Sequence, residues 1–312
     1  MRWDLLCLGE TMGVLSPDPP APLREGPRLA LDVGGAESNV AIWLATLAAT
    51  AGEPRRVAWC GRVGADPVGE LVRGRLAAAG VDTSLVETDP AAPTGIYLKD
   101  PGPDRTRVYY YRRGSAAAAM GRRMLAGLPP VRVLHLSGIT AALSDPCADL
   151  VRHALADRPV PGALTSFDVN YRPALWPVAA AGPVLAELAN TADLVFVGRD
   201  EAETLWGAGT PEQIRAVLAG SATLVVKDGP VAAYAHQAGR WHTEPAPPVP
   251  VVEPVGAGDA FAAGYLWGVL CDAEPAARLR LGHLVAGSAL RVAGDLGRPP
   301  PAAALRAARG DG

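Results

Sequence analysis

Near the end of the chain, a glycine-rich turn leads into a carboxylate and then into an apolar helix. The stretch EPVGAGDAFAAGYLWG, residues 253–268, places Gly256, Ala257 and Gly258 directly before Asp259. Backbone N–H groups converge at such a helix start, where the dipole adds roughly half a positive charge, so the turn can bind an anion. A carboxylate there suits one task, taking the proton from a hydroxyl that attacks a phosphoryl group. Capping the helix is the structural alternative for Asp259.

A second glycine-rich turn, in DVGGAESNVA at residues 32–41, precedes another predicted helix. Without a Cβ at Gly34 and Gly35, the backbone can approach a polyhydroxyl ligand, and the Asn39 amide offers both a donor and an acceptor. A simple strand-to-helix turn is the alternative. Neither G-x-G-x-x-G nor G-x-x-x-x-G-K-[ST] occurs at a strand-to-helix junction, which argues against a dinucleotide fold or a P-loop.

Composition narrows the class of protein. The chain has 312 residues, 49% hydrophobic and 20% charged, with a net charge of −3. It has no basic patch for nucleic acid and no apolar run of about 18 residues for a membrane, so we expect a cytoplasmic protein without either partner. The cysteines are too far apart for a zinc site or a disulfide framework, and we expect reduced thiols at Cys7, Cys60, Cys147 and Cys271.

The 29 basic residues include two lysines, Lys99 and Lys227, so a retained lysine is mildly informative.

Apolar strand-like runs alternate with helical patterns, which predicts an α/β fold: a doubly wound α/β/α sandwich around a parallel sheet. The predicted strands are 4–9, 56–61, 132–138, 164–170, 192–198 and 222–229. The predicted helices are 36–51, 67–79, 145–157, 178–190, 200–206 and 211–219.

Two excursions break the alternation, at about 11–34 and 93–113, and each contains short strand-like pieces. We expect them to pair as a small antiparallel sheet that forms a lid over one end of a single domain, residues 1–312. The Pro- and Ala-rich stretch beyond Gly297 is expected to be only partly ordered.

An ordered set of motifs resembles the ribokinase-like (PfkB) family of carbohydrate kinases over nearly the whole chain. The set is GGAESN, then GRVGADPVG at 61–69, DVNYR at 168–172 and VGAGDAFAAGY at 255–265. Together with TGIYL, VYYYRRGSA, LHLSGIT and DVNYRPALW, it is most similar to the 2-keto-3-deoxygluconate kinases. The resemblance implies ATP-dependent phosphorylation of that sugar acid to its 6-phosphate, with Mg²⁺. Fructokinase or another sugar kinase is the alternative, and a catalytically silent sugar-binding regulator is disfavoured by the intact GAGD turn.

The resemblance also implies roles for individual residues. Asp259 is the base, and Gly256, Ala257 and Gly258 form the anion hole, with Gly256 and Gly258 also at the nucleotide phosphates. Other nucleotide positions are Asn170, Lys227, Gly229 and, beside the adenine, His283. The substrate positions, besides Asp259, are Gly34, Gly35, Asn39, Tyr97, Tyr110, Arg112, Arg172 and Asp295.

The lid strand TRVYYYRRG alternates, so Tyr110 and Arg112 should share a face, where the planar fork of arginine suits a substrate carboxylate. The structural alternative is that Tyr110 and Arg112 simply form part of a solvated lid surface. The small-molecule sugar or sugar acid is the expected partner, and the exposed lid edge favours a homo-oligomer formed through the lid.

Two positions depart from the family pattern. The N-x-x-E motif, whose glutamate organises magnesium through water, reads Gly198-Arg199-Asp200-Glu201, so only Glu201 is retained. The acidic residue that opens the signature, usually Asp, is Glu253.

Overall fold

The computed structural model describes residues 2–102, 106–292 and 294–311. Each of the six predicted apolar runs forms a strand, and all six lie side by side in parallel at the centre of one nine-stranded sheet. The strand order is β13-β12-β11-β10-β9-β8-β1-β4-β5. Its strands are β1 Trp3–Leu8, β4 Val57–Gly64, β5 Val86–Asp89, β8 Val131–Ser137, β9 Leu164–Asp168, β10 Leu194–Gly198, β11 Thr223–Asp228, β12 Ala232–Gln237 and β13 Arg240–Pro245.

Three strands of this sheet were not predicted. The strand β5 has four residues, and β12 and β13 carry mixed polar and apolar side chains because they form an antiparallel hairpin at the sheet edge. The hairpin turns at Ala238 and Gly239, which both have positive φ, 49° and 76°, as a tight two-residue turn requires.

Helices cover both faces of the sheet, which confirms the predicted doubly wound sandwich. The helices α1, α2, α8, α9 and α10 enclose one apolar core, and α3 to α7 enclose the other. The helices are α1 Ala36–Ala51, α2 Pro67–Ala78, α3 Gly138–Ala141, α4 Asp145–Arg152, α5 Val178–Thr191, α6 Arg199–Trp206, α7 Pro211–Val217, α8 Ala257–Leu270, α9 Pro275–Ala289 and α10 Ala302–Arg309; short 3₁₀ turns cover Leu23–Glu25, Ala116–Ala119 and Arg122–Leu125, and a π turn covers His153–Asp157.

The two predicted excursions form a separate four-stranded sheet, the lid, in the order β3-β2-β6-β7. Its strands are β2 Met12–Pro17, β3 Leu29–Gly34, β6 Ile96–Asp100 and β7 Arg107–Tyr111. The expectation of an antiparallel lid is wrong at its centre, where β2 and β6 pair in parallel. Both strands run outward from the same edge of the large sheet, after β1 and after β5, and therefore point the same way.

The expectation of partial order beyond Gly297 is wrong for the helix α10. Alanine favours helix, and the apolar side of this one is anchored because Leu305 is buried in the core with α1 and α9. Arg309 also donates to Glu53, with Nη2 to Oε1 at 2.7 Å. Local composition alone did not reveal this tertiary anchoring.

The four cysteines are free thiols, three of them buried. Within the described ranges, no helix has the length and hydrophobicity that crossing a bilayer requires.

Candidate active site

Asp259 lies in the first turn of α8, beside the turn that precedes the helix. Gly256 is the N-cap with a φ of 81°, and no side chain caps this helix. The Asp259 carboxylate instead faces α1, where Oδ2 accepts a hydrogen bond from Asn39 Nδ2 at 2.9 Å. The capping alternative therefore does not describe Asp259.

Burial raises the pKa of Asp259 to about 7, and the neighbouring carboxylates Asp168 and Asp295 add to the rise. The hydrogen bond from Asn39 and the positive charge of Arg172 oppose it. A carboxyl with this pKa can hold and release a proton near neutral pH, which suits a general base.

The amides of the Gly256 turn are partly engaged. Ala257 N–H donates to the Pro254 carbonyl at 3.3 Å. Gly258 and Asp259 occupy the first helical turn, where N–H groups have no acceptor within the helix. An anion at this end of α8 would meet those two amides.

Lys227 faces the same turn from the end of β11. A Cβ at Gly258 would lie 3.5 Å from Lys227 Nζ, and Nζ donates to Asp168 Oδ2 at 2.8 Å. Burial opposes the charge on Lys227, but Asp168 and Glu201 outweigh it and raise the pKa. A permanent cation therefore stands opposite the helix N-terminus.

Asn170 follows β9 with a φ of 38°, a conformation that few residues other than glycine adopt. It is buried, and among the described residues its Oδ1 accepts no hydrogen bond. Oδ1 of Asp168 is likewise buried without a donor. Strained backbone and unsatisfied oxygens together are typical of a binding site.

The lid closes over the other side of Asp259. Asp295 Oδ2 accepts a hydrogen bond from Tyr97 Oη at 3.1 Å, and Oδ1 accepts one from Lys99 Nζ at 2.7 Å. Gly34 permits this contact because a Cβ there would lie 2.4 Å from Tyr97 Oη. The backbone oxygen of Asp295 would lie 2.5 Å from a Cβ at Gly256. The lid, the Asp295 loop and the α8 turn are therefore in close contact.

Arg112 and Tyr110 share the inner face of the lid, as the alternation predicts. The guanidinium lies 5.5 Å from the Tyr110 ring, and the Tyr110 ring lies 5.6 Å from that of Tyr97. Arg112 is buried and forms an ion pair with Glu10. Ser115 Oγ donates to the same carboxylate at 2.7 Å and holds Glu10 in place.

Glu201 spans two loops at the ends of neighbouring strands. Its Oε1 accepts from Tyr171 N–H at 2.9 Å, and its Oε2 accepts from Gly198 N–H at 2.8 Å. Burial raises the pKa of Glu201, and Lys227 opposes the rise. The family asparagine is absent at Gly198, where a Cβ would already lie 2.7 Å from Asp200 Oδ1.

Three predicted residues lie apart from this cluster or at its rim. His283 packs on Phe261, with ring centroids 5.3 Å apart, and its Nε2 lies 3.1 Å from the Glu244 carbonyl. Gly229 follows β11 with a φ of 47° and open space around it. Arg172 is exposed, although its charge acts on Asp259.

Sequence reasoning missed four charged residues of the site. Asp168 lies inside the quoted DVNYR motif, and Lys99 is one of two lysines, so signals existed for both. Glu37 lies inside the quoted GGAESN motif, whereas Glu10 gave no such signal. Glu37 is fully buried, and its Oε1 accepts hydrogen bonds from Ser137 and Thr140, each at 2.7 Å.

The arrangement combines a carboxyl whose pKa is near neutral, that of Asp259, with a helix N-terminus and a lysine that can receive an anion. It also provides a lid that can exclude water. Proton abstraction from a hydroxyl, coupled to transfer of a phosphoryl group, requires these parts.

Comparisons with known proteins agree with that chemistry. Residues 3–301 match the family model described as pfkB family carbohydrate kinase. The chain is 36% identical over 297 residues to a 2-dehydro-3-deoxygluconokinase of Thermoproteus tenax, covering 92% of this chain and 88% of the relative. It is 32% identical over 307 residues to another of that name from Bacillus subtilis, covering 95% and 92%.

A solved structure extends the match to three dimensions. The crystal structure of the PfkB protein from Polaromonas sp. superposes with a TM-score of 0.84 at 31% identity, covering 98% of this chain and 99% of that one. The fold and the enzyme class predicted from the motifs are thereby confirmed: the chain belongs to the pfkB family of carbohydrate kinases.

Proposed function

We propose that this carbohydrate kinase transfers the γ-phosphoryl group of ATP to the 6-hydroxyl of 2-keto-3-deoxygluconate, also called 2-dehydro-3-deoxygluconate. The observation that carries the proposal is the position of Asp259, hydrogen-bonded to Asn39 at the N-terminus of α8, between Lys227 and the lid. Residues 1–312 then act as one kinase domain with the lid strands inserted. ATP use and the free thiols favour the cytoplasm.

In the proposed reaction, the oxygen of the substrate hydroxyl bonds to the γ-phosphorus of ATP. Asp259 accepts the proton that this hydroxyl loses. The bond from that phosphorus to the bridging oxygen breaks, and ADP leaves with the electron pair. The amides of Gly258 and Asp259 and the ammonium of Lys227 face the charge that develops on the phosphoryl oxygens. These groups are already ordered, so they need little reorganisation during transfer.

The base is tested with Asp259→Asn, which keeps the shape and removes the basicity. We expect kcat to fall by about 10² or more, with little change in nucleotide affinity. In the wild type, kcat/KM should rise with pH through about 7, because the carboxyl must lose its proton to act. Near-normal turnover in the variant would refute the assignment.

The lid supports a sugar acid rather than a neutral sugar as substrate. Tyr97, Tyr110 and Arg112 converge on one face, and arginine with phenolic hydroxyls is suited to a carboxylate. An ion pair with Glu10 holds the Arg112 guanidinium in place. A guanidinium has five N–H donors, and Glu10 does not occupy all of them. The predicted contact from Arg112 to the substrate uses the donors that remain.

Replacing Arg112 should discriminate between the two substrate classes. A charge-assisted hydrogen bond contributes about 1.5 to 3 kcal/mol, so Arg112→Ala should raise KM for 2-keto-3-deoxygluconate about tenfold or more and barely affect fructose. Because the single change leaves Glu10 buried without its partner, the double variant Glu10→Gln with Arg112→Gln repeats the test. Steady-state kinetics on both sugars provides the measurement.

Arg113→Ala, an exposed neighbour, is the matched control and should behave as the wild type. Equal weakening on both sugars, or wild-type phosphorylation of fructose as efficient as that of the sugar acid, would favour the fructokinase alternative.

Magnesium is the expected metal, and the donor set fits an ion held mainly by phosphates. Among the described residues, no group of three or more His, Cys, Asp or Glu side chains could hold a metal. Asp168 and Asn170 have buried oxygens without donors, and Glu201 fixes the loop that carries Asn170. Bound Mg²⁺ would neutralise phosphate charge, with Glu201 acting through water.

Glu201→Gln should therefore raise the magnesium concentration for half-maximal rate, by roughly tenfold, as for other outer-shell ligands. The amide has one acceptor oxygen where the carboxylate used two. Titration of magnesium at fixed ATP measures the effect, with Glu203→Gln on the same helix as control. An unchanged magnesium dependence would show that Glu201 has no part in holding the metal.

The outer face of the lid supports a homodimer. Four residues that oppose one another on adjacent strands form a row across this face, and all four have apolar or aromatic side chains: Leu31, Leu15, Leu98 and Tyr109. Leu31 is 45% and Tyr109 44% exposed, and Tyr111 on the same face is 64% exposed. Asp100 and Arg107, which oppose each other two residues further along β6 and β7, border the apolar row on this face. Because the row itself is uncharged and can be self-complementary, we propose that the lid of a second copy covers it.

Leu31→Asp should convert the dimer to a monomer, because it places a charge within the apolar row that the proposed dimer buries. Light scattering after size exclusion measures the mass. Val178→Asp, at an exposed apolar site on α5, is the control and should remain dimeric. A wild-type protein that is monomeric at micromolar concentration would contradict the proposal.

A further inference from the structure

Both lysines of this arginine-rich chain face the site, each opposite a carboxylate. Lys227 pairs with Asp168 and Lys99 pairs with Asp295, at 2.8 and 2.7 Å. Lys227 fits the phosphate side of the proposed reaction. Lys99 has no role in that reaction as described above, although it is only 4% exposed. Burying an ammonium is costly unless it is paired, so its position requires an explanation.

The Lys99 pair connects the lid to the turn that bears the base. Lys99 lies on β6, two residues from Tyr97, and both side chains bind the same carboxylate from the lid side. Asp295 in turn packs its backbone against Gly256, where no Cβ could be accommodated. Withdrawal of β6 from this position would thus remove both donors from Asp295 at once.

The charges around Asp259 come in opposed pairs. Asp168 and Asp295 both raise the pKa of Asp259, and each has one lysine against it. The groups that face Asp259 are Asn39 from α1, Asp168 from β9, Arg172 after β9, Lys227 from β11, Tyr97 from β6 and Asp295 from the last loop. Without Lys99, no ammonium would offset the negative charge of Asp295, and that charge would raise the pKa of Asp259 further.

We propose that Lys99 is a positioning residue of phosphoryl transfer, which holds and neutralises Asp295 so that Asp259 is a competent base when the lid is closed. The proposal rests on the proposed function, in which Asp259 takes the proton. It couples the charge state of the base to the lid position: the base is activated by the same contact that closes the site.

The competing explanation is that the Lys99–Asp295 ion pair is a purely structural clasp, which holds the lid against the last loop and does not act on Asp259. A buried ion pair adds little net stability compared with apolar residues of similar volume, so a clasp would not need charge. The two explanations differ in the pH dependence. A clasp affects rate at every pH alike, whereas a charge that acts on Asp259 moves the acid limb of the kcat/KM profile.

The test compares kcat/KM from pH 5 to 9 for wild type, Lys99→Met, Lys99→Gln and Lys99→Arg, using the sugar that the wild type phosphorylates best. Losing a positive charge disfavours the carboxylate, so the acid limb of Lys99→Met and Lys99→Gln should move to higher pH by about 0.5 unit or more. Lys99→Arg should restore the wild-type limb. Arg24→Met, an exposed change in the turn between β2 and β3, removes the same charge from the lid region and should not move the acid limb.

The double variant Lys99→Met with Asp295→Asn isolates the pair. If Lys99 acts through Asp295, removing both charges should return the acid limb to its wild-type position, although substrate binding stays weak. An unmoved limb in Lys99→Met and Lys99→Gln, or equal displacement with and without the Asp295 change, would overturn the proposal. If Lys99→Met does not fold, Lys99→Gln and the double variant still show whether the acid limb moves and whether removing the charge of Asp295 restores it.

Failure of the proposed function gives a different result. An active Asp259→Asn protein, or a wild type inactive on every sugar with ATP, would remove the base on which this inference rests. An active wild type, an inactive Asp259→Asn and an unmoved limb in the lysine variants would reject the role of Lys99 alone.

Discussion

The hydrogen bond from Asn39 to Asp259 joins the two helix N-termini on which the site is built. It links α1 to α8 at 2.9 Å across 220 residues of sequence. It also orients the carboxylate away from its own helix, so that Asp259 neither caps α8 nor blocks its amides. Because both helices pack together in one core, the position of the proposed base is fixed by that packing rather than by a loop.

The electrostatics of the site follow from burying several carboxylates in one place. Asp168, Asp295, Glu10 and Asp259 could not all be charged in a low-dielectric site without counter-ions. Lys227, Lys99 and Arg112 each pair with one of the first three. Of these four carboxylates, Asp259 alone has a neutral side-chain partner and no cation, and burial leaves its pKa close to neutrality. Of the four, it is therefore the one suited to exchange protons.

Local signals in the sequence predicted the core strands and led to Asp259 as the proposed base. Apolar runs gave the six central strands, and the turn of Gly256 to Gly258 identified Asp259. The hairpin of β12 and β13, the helix α10 and the parallel centre of the lid depend on tertiary contacts that no local pattern records. The same is true of Lys99 and Asp295, which lie 196 residues apart and meet only after the lid folds over the last loop.

The parallel pairing of β2 with β6 also has a consequence for how the chain folds. Between these strands lie β3, α1, β4, α2 and β5, so the pairing closes a long loop and contributes non-local contacts, which slow folding. During synthesis the ribosome must have released β6 before β2 can find its partner. The pairing of β2 with β3 can form earlier, and β6 and β7 complete the lid only afterwards.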